Sequence, residues 1–270
     1  RRLETDVSKP LRLYPLVFRL APLLIPVLFL TAWELLIRVG GYGNILLPPP
    51  TTVFAALFQM IADGTLFVHI SASLKRVAAG YALAVAVGVP LGLAMGYSEL
   101  ANRLFGGTVN GMRPIPASAW IPLSIILMGI GDRPAVFLVF IGTVWSIILN
   151  SSHGVKSVPK HLVWAAQTMG ASSYTIFTKV IVPASMPAVF TGLRVAVGIA
   201  FTCVIVAELI AVRSGLGYLI TEARMIVRSD IVIAGMIAIG AIGYLLDLIV
   251  RLIMSRTLRW QKGLIADSTQ

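Results

Sequence analysis

The chain has 270 residues, of which 57% are hydrophobic and only 12% charged. A soluble domain carries about 25% charged residues, so too few charges are present to wet a soluble enzyme, and the hydrophobicity excludes intrinsic disorder. An integral membrane protein with several helical spans remains. The net charge of +11 comes from 22 Lys and Arg against 11 Asp and Glu. Basic residues crowd the cytoplasmic ends of membrane helices, so topology explains the excess without nucleic acid. Cys203 is the single cysteine, and His69, His153 and His161 do not cluster. A disulfide, a metal site or a redox centre has no support in this pattern.

Six apolar stretches can cross a bilayer as helices, each near the 20 residues that a span needs. They lie at about 16–37, 77–97, 117–130, 134–150, 186–211 and 231–254. The first is too long for a signal-peptide core and no small-residue cleavage site follows Arg38, so it reads as a retained helix. The chain begins at Arg1 rather than Met, which implies further sequence before it. Pro48, Pro49 and Pro50 followed by Thr51 and Thr52 form a helix-start signal, and the run Val53 to Ala62 is apolar enough to lie in the membrane interface. The third stretch is short and holds Pro122, so it reads as a broken or tilted helix.

Placing the N-terminus inside puts Arg1, Arg2, Lys9, Arg12, Arg19, Arg103, Arg113, Lys156, Lys160, Lys179, Arg251, Arg256, Arg259 and Lys262 on the inner side, 14 in all. Arg38, Lys75, Arg76, Arg133, Arg213, Arg224 and Arg228 fall outside, 7 in all. The positive-inside rule selects this orientation, with both termini in the cytoplasm of a multi-pass membrane protein. The domain reading follows: a tail over 1–19, the first helix and its outer loop over 20–76, a core over 77–254, and a tail over 255–270.

Within the spans, Gly88, Gly92 and Gly96 make two overlapping GxxxG units, and Gly192, Ala196 and Ala200 repeat the spacing. Small residues four apart let helix backbones approach closely, either within one bundle or between subunits. Asp247 and Arg251 are placed to pair at i, i+4. Polar residues inside spans mark a route or a packing contact. The pathway candidates are Ser118, Trp120, Ser124, Thr143, Ser146, Asn150, Thr202, Arg194 and Glu208. Arg194 has two readings, attraction of an anion or snorkelling to the inner interface. Glu208 is expected to pair with an outer base such as Arg213.

The segment 156–183 is basic-side and outside the spans. A short helix ending near Gly170 and a second helical stretch ending near Pro183 read as a helix-turn-helix or as an ordinary connection. Its Ala165, Ala166, Gly170, Val180, Val182 and Pro183 resemble the signature loop of bacterial ATP-binding cassette (ABC) importer permeases, with Trp164 where that family has an acid. Leu47 with Pro48 to Pro50, Arg113 with Pro114 and Pro116, Trp120 with Pro122, Thr191 to Arg194, Ala207 to Ile210, and Gly215 to Gly217 resemble motifs of the nitrate, sulfonate, taurine and bicarbonate group.

The resemblance implies an all-α membrane fold like that of the type I importers, with about six transmembrane helices and a cytoplasmic coupling helix. It implies Trp164, Ala165, Ala166, Gln167, Gly170, Ala171 and Pro183 as the coupling residues. It also implies a second copy of the chain, two cytoplasmic ATPase subunits that carry ATP and Mg, an external binding protein, and a small anion as cargo. The sequence independently holds no G-x-x-x-x-G-K-[ST] loop, so no nucleotide site, catalytic residue or cofactor is expected in this chain. The competing readings are an ion-coupled secondary transporter and a membrane scaffold without a coupling loop.

Overall fold

The computed structural model describes residues 14–40 and 47–257, with side chains for 24–39, 47–254 and 256. The basic tails around Arg1 to Arg12 and Arg259 to Lys262 lie outside the described residues. The described chain is helical throughout: α1 (Tyr14–Gly40), α2 (Pro50–Ala62), α3 (Thr65–Tyr97), α4 (Glu99–Met112), α5 (Ile121–Met128), α6 (Asp132–Lys156), α7 (Lys160–Thr168), α8 (Ser173–Ile176), α9 (Val182–Glu208), α10 (Leu216–Met225) and α11 (Ser229–Thr257). Four helical stretches among the described residues are long and apolar enough to cross a membrane: Thr65–Tyr97, Asp132–Lys156, Ser173–Glu208 and Ser229–Met254.

The proline signal at the outer loop holds. Pro49 caps α2 and Pro50 occupies its first turn, where the missing N–H costs nothing. Glu34 of α1 completes that start: its carboxylate accepts the Thr51 amide at 3.1 Å and pairs with Arg38 at 2.6 Å. Between α2 and α3 the Asp63 carboxylate accepts the Thr65 amide at 2.9 Å. That bond holds its pKa below the usual carboxylate range.

One boundary differs from the sequence reading. The second span begins at Thr65 rather than 77, so Lys75 and Arg76 sit inside α3 and not in a loop. The third stretch is the short, broken helix expected, helical over Ala117–Met128 and too short to span alone, and the chain reaches it through a helix not foreseen. The chain turns at Ser98, whose hydroxyl accepts the Ala101 amide, and α4 starts at once. It continues past Arg113, Pro114 and Pro116 through a 3-10 turn, Ala117–Trp120, into the eight residues of α5. Two prolines in four residues end α4, because neither can donate and each disfavours helix in the residue before it.

α6 is the central helix. Just over half of its span is buried (56%), against 17% for that of α11. α3 lies on one side of it and α9 on the other. A Cβ on Gly92 would stand 2.5 Å from the Ile148 carbonyl oxygen, and one on Gly80 would stand 2.6 Å from that of Val136. On the other side, a Cβ on Gly154 would meet the Ser185 carbonyl at 3.0 Å, and Gly192 is closed off by Asn150. The small-residue stripes therefore serve packing inside one chain. Lipid offers no hydrophobic drive between helices, so backbone approach and dispersion hold these helices together. Ala84, Met95, Val144, Ile147, Ile148 and Ala196 form the core that results.

Gly92→Leu should lower the stability of the purified protein by about 1–3 kcal/mol, the usual cost of overpacking a tight contact. Gly240→Ala, where an added Cβ meets nothing within 4 Å, should be neutral or slightly stabilising. Thermal unfolding of both variants in one detergent checks the contrast.

Candidate functional site

Three constellations occupy α6 and its two ends. The first is the segment after α6. α7 follows Pro159 and ends in a turn where Gly170 has φ +77°. The Gly170 amide bonds the Gln167 carbonyl at 2.9 Å, and the Ala171 amide bonds that of Ala166 at 3.0 Å. These are the two bonds of a Schellman cap, which needs a left-handed residue at Gly170. Nothing lies within 4 Å of an added Cβ there, so conformation and not space demands glycine. Ser172 then caps α8 through the Thr175 amide.

The sequence reading ended the next helix near Pro183. The structure instead carries it through a π turn, Phe177–Ile181, straight into α9. Pro183 cannot bond to the Lys179 carbonyl and would clash with it, and the widened turn absorbs both defects.

Ala166 is buried against Val155, Ile176 and Ile181, so its small side chain lets α7 sit close on its own bundle. Ala165, Gln167, Gly170 and Pro183 are exposed and Ala171 is half-buried. The outward face is apolar: Trp164 is 61% exposed, Met169 80% and Tyr174 78%, with Leu162 beside them. This face lies beyond the ends of α3, α6 and α9, where the Tyr97 and Phe177 rings meet at 4.8 Å.

The opposite end of the bundle is locked by a buried charge network. The expected partner of Glu208, Arg213, is not the one it has. Arg76, one α-helix away in α3, bonds the Glu208 carboxylate at 2.7 Å and the Asp132 carboxylate at 2.7 Å. It also donates to the Ser214 carbonyl and hydroxyl at 2.7 and 2.6 Å. Glu208 further accepts from Ser73 at 2.9 Å and from the Gly217 amide at 3.0 Å. The Leu216 amide donates to Ser73 Oγ at 2.9 Å. The first amides of α10 thus point at an anionic cluster, the arrangement favoured at a helix N-terminus. Gly215 (φ +109°) is where this wrap closes, because any Cβ would fall on the Glu208 carboxylate. Arg213 was favoured by nearness in sequence; Arg76, 132 positions away, became visible only when α3 was found to start early.

The third constellation is a groove of about 480 Å³ along one face of α6. Gly142, Trp145, Ser146, Asn150 and His153 line it, together with Arg113 from the end of α4. Of the pathway candidates, Ser146 and Asn150 reach this groove. Ser118 and Thr202 share a smaller cavity of about 170 Å³ with Cys203. Trp120 packs edge-on to Phe137 with ring centroids 6.3 Å apart. Ser124 and Thr143 are buried and donate to their own helices, to the Ile121 and Val139 carbonyls at 2.7 Å. Such back-bonded hydroxyls have no free donor to offer a passing ion.

Arg194 does not stand free: its Nε meets Asp247 at 2.9 Å across α9 and α11. Asp247 is shared with Arg251, so the pair read from i, i+4 spacing is a triad. Arg113 was missed as a groove residue, since its segment read as an inner loop. The signal that could have found it is the double-proline break after it.

A family model described as binding-protein-dependent transport system inner membrane component matches residues 88–259. The chain belongs to this family. It is a membrane permease of the ABC importer type. An archaeal relative in Methanocaldococcus jannaschii, named as an ABC transporter permease protein, is 42% identical over 243 residues, covering 88% of this chain and 91% of the relative. The taurine transport system permease protein of Escherichia coli is 34% identical, covering 86% of each chain. Among solved structures, an inward-facing form of the MetNI methionine ABC transporter aligns with a TM-score of 0.58 at 20% identity, over 71% of the permease and 97% of that chain. This likeness shows the fold: an all-α membrane protein of the type I importer kind.

Glu208→Ala should destabilise the permease by about 3–5 kcal/mol, because Arg76 would be left as a buried and partly uncompensated charge. The double variant Arg76→Met, Glu208→Met should recover a good part of that loss. A double-mutant cycle by thermal or denaturant unfolding measures the coupling.

Proposed function

We propose that two copies of this permease form the membrane core of an ATP-driven importer for a small anion. Two ATPase subunits dock on the α7 end, and they carry ATP and Mg. An external binding protein docks on the α2 and α10 end and delivers the cargo. In this arrangement both termini lie in the cytoplasm, as the positive-inside count favours. The taurine permease among the relatives supports a sulfonate as the first cargo to test, with nitrate and bicarbonate as the other members of the class.

The observation that carries the reading is the α7 face. A nine-residue helix outside the spans presents Leu162 and Trp164 to solvent, the turn after it presents Met169 and α8 presents Tyr174, while Ala166 pins the helix to the bundle. Tryptophan and tyrosine are enriched at the energetic centres of interfaces, and a rigid cap spares the entropy of ordering the segment on binding. Motion of a docked ATPase would pass into α9 through the continuous stretch from Ser173, and into α6 through the Val155 contact. Trp164, at the position of the family's acid, replaces a polar contact with an apolar anchor. Gly170 sets the turn that presents it.

The double variant Trp164→Asp, Met169→Asp should insert in the membrane at the ordinary level but lose its ATPase. Loss of one interface anchor costs about 2 kcal/mol or more, a thirtyfold weakening. Native mass measurement of the complex after gentle extraction checks both the docking and the two-plus-two stoichiometry. A variant that retained its ATPase at ordinary yield would refute α7 as the docking element.

A further inference from the structure

We propose that Arg113, Ser146, Asn150 and His153 form a weak oxyanion site half-way along the translocation groove. The inference rests on the importer reading for its role, but not for its chemistry. Arg113 closes α4, directly before Pro114, and lines the same groove as Gly142 and Ser146. Those two residues lie at the middle of α6. A Cβ on Gly142 would meet that of Ala117 at 3.3 Å, and Arg113 lies four residues before Ala117, so the arginine lines the groove between the middle of α6 and its α7 end.

Its charge has no acid to meet it. Among the described residues no carboxylate lies within ion-pair distance of Arg113, whereas Arg76, Arg194 and Arg251 are each paired with one. An arginine within a membrane is costly and marks an ion route when it faces a water-filled cavity. The walls supply further donors. Among the described residues Ser146 Oγ makes no hydrogen bond, and neither does the His153 ring. Asn150 uses one N–H on the Ser146 carbonyl at 2.8 Å and keeps the other. Gly192 packs on Asn150 and fixes it in this place.

A guanidinium fork beside a hydroxyl, an amide and an imidazole matches an anion with three terminal oxygens, such as a sulfonate or nitrate. A carboxamide or sugar cargo has no use for the unpaired charge. The site is also open. From Gly142 to His153 the lining runs along about 16 Å of helix at 1.5 Å per residue, from the middle of α6 toward the α7 end. One exposed cation in a wet groove holds an anion only weakly, because solvent screens the attraction. A conducting site must release what it binds.

Trp145 lines the same groove and reports on it. The test uses the permease in neutral phosphatidylcholine nanodiscs with whichever chains co-purify. Iodide, an anionic quencher, is titrated at constant ionic strength. The difference between wild type and Trp145→Phe isolates one tryptophan of the five. We expect saturable quenching of Trp145 that taurine and methanesulfonate compete away. In Arg113→Gln the midpoint should rise about tenfold or more, the worth of one charge-assisted hydrogen bond. Arg113→Lys should fall between the two, since it keeps the charge and loses the fork.

A linear wild-type titration, or the same midpoint in Arg113→Gln, overturns the site. Should Arg113→Gln fail to assemble, Arg113→Lys and Asn150→Ala carry the test, and unchanged midpoints in both overturn it. The two readings separate in this experiment. If no ATPase co-purifies yet the midpoint shifts, the importer reading falls and the site stands. With the ATPase present and the midpoint unmoved, the site alone falls.

Discussion

Close backbone approach on both sides of α6 is the constraint on which this permease is built. In a bilayer, burying leucine against leucine gains little over burying it against lipid. Two helices stay together when their backbones come near enough for many dispersion contacts at once. Gly80, Gly92 and Gly96 remove the side chains that would keep α3 from α6, and Gly154 and Gly192 do the same between α6 and α9. The three helices then form one slab. Trp145, Ser146, Asn150 and His153 of α6 line the groove beside it.

Each end of the slab carries a different device. At one end the Arg76 and Glu208 network ties α3, α6, α9 and α10 through charge-assisted hydrogen bonds, with every partner satisfied. A network of this kind is rigid, because losing one member strands the others in a low-dielectric surrounding. At the other end α7 is held by a cap and by the packing of Ala166 on Val155, Ile176 and Ile181, and its outward face is apolar and exposed. One end resists deformation while the other offers a surface on which force can be exerted. This asymmetry suits a protein that receives energy from a partner on one side of the membrane.

The charges divide in the same way. Arg76, Arg194 and Arg251 are committed to carboxylates. Their pairing makes them elements of structure. Arg113 lines the groove. One unpaired cation there, flanked by neutral donors, creates a shallow attraction in place of a trap.

The sequence by itself determined a great deal here. Composition fixed the membrane class, because 12% charge cannot wet a globule of this length. The GxxxG units, the proline start of α2, the Gly170 turn and the Asp247 and Arg251 pair all depend on spacing within a few residues, which a sequence displays directly. The order of motifs around Ala165, Ala166 and Gly170 pointed to the family for the same reason. Tertiary structure alone decided what depends on contacts between distant segments. Nothing local distinguishes Arg213 from Arg76 as the partner of Glu208, and Arg194 meets Asp247 from another helix. Polar residues inside spans looked equivalent until their helices were rotated into place, which turned Ser124 and Thr143 inward and Ser146 and Asn150 toward the groove. The place of Arg113 in the groove was hidden because a crossing broken by two prolines lacks the unbroken apolar run that identifies a span. In each case the deciding quantity is a through-space distance between helices, and helix packing sets that distance, not the chain's own periodicity.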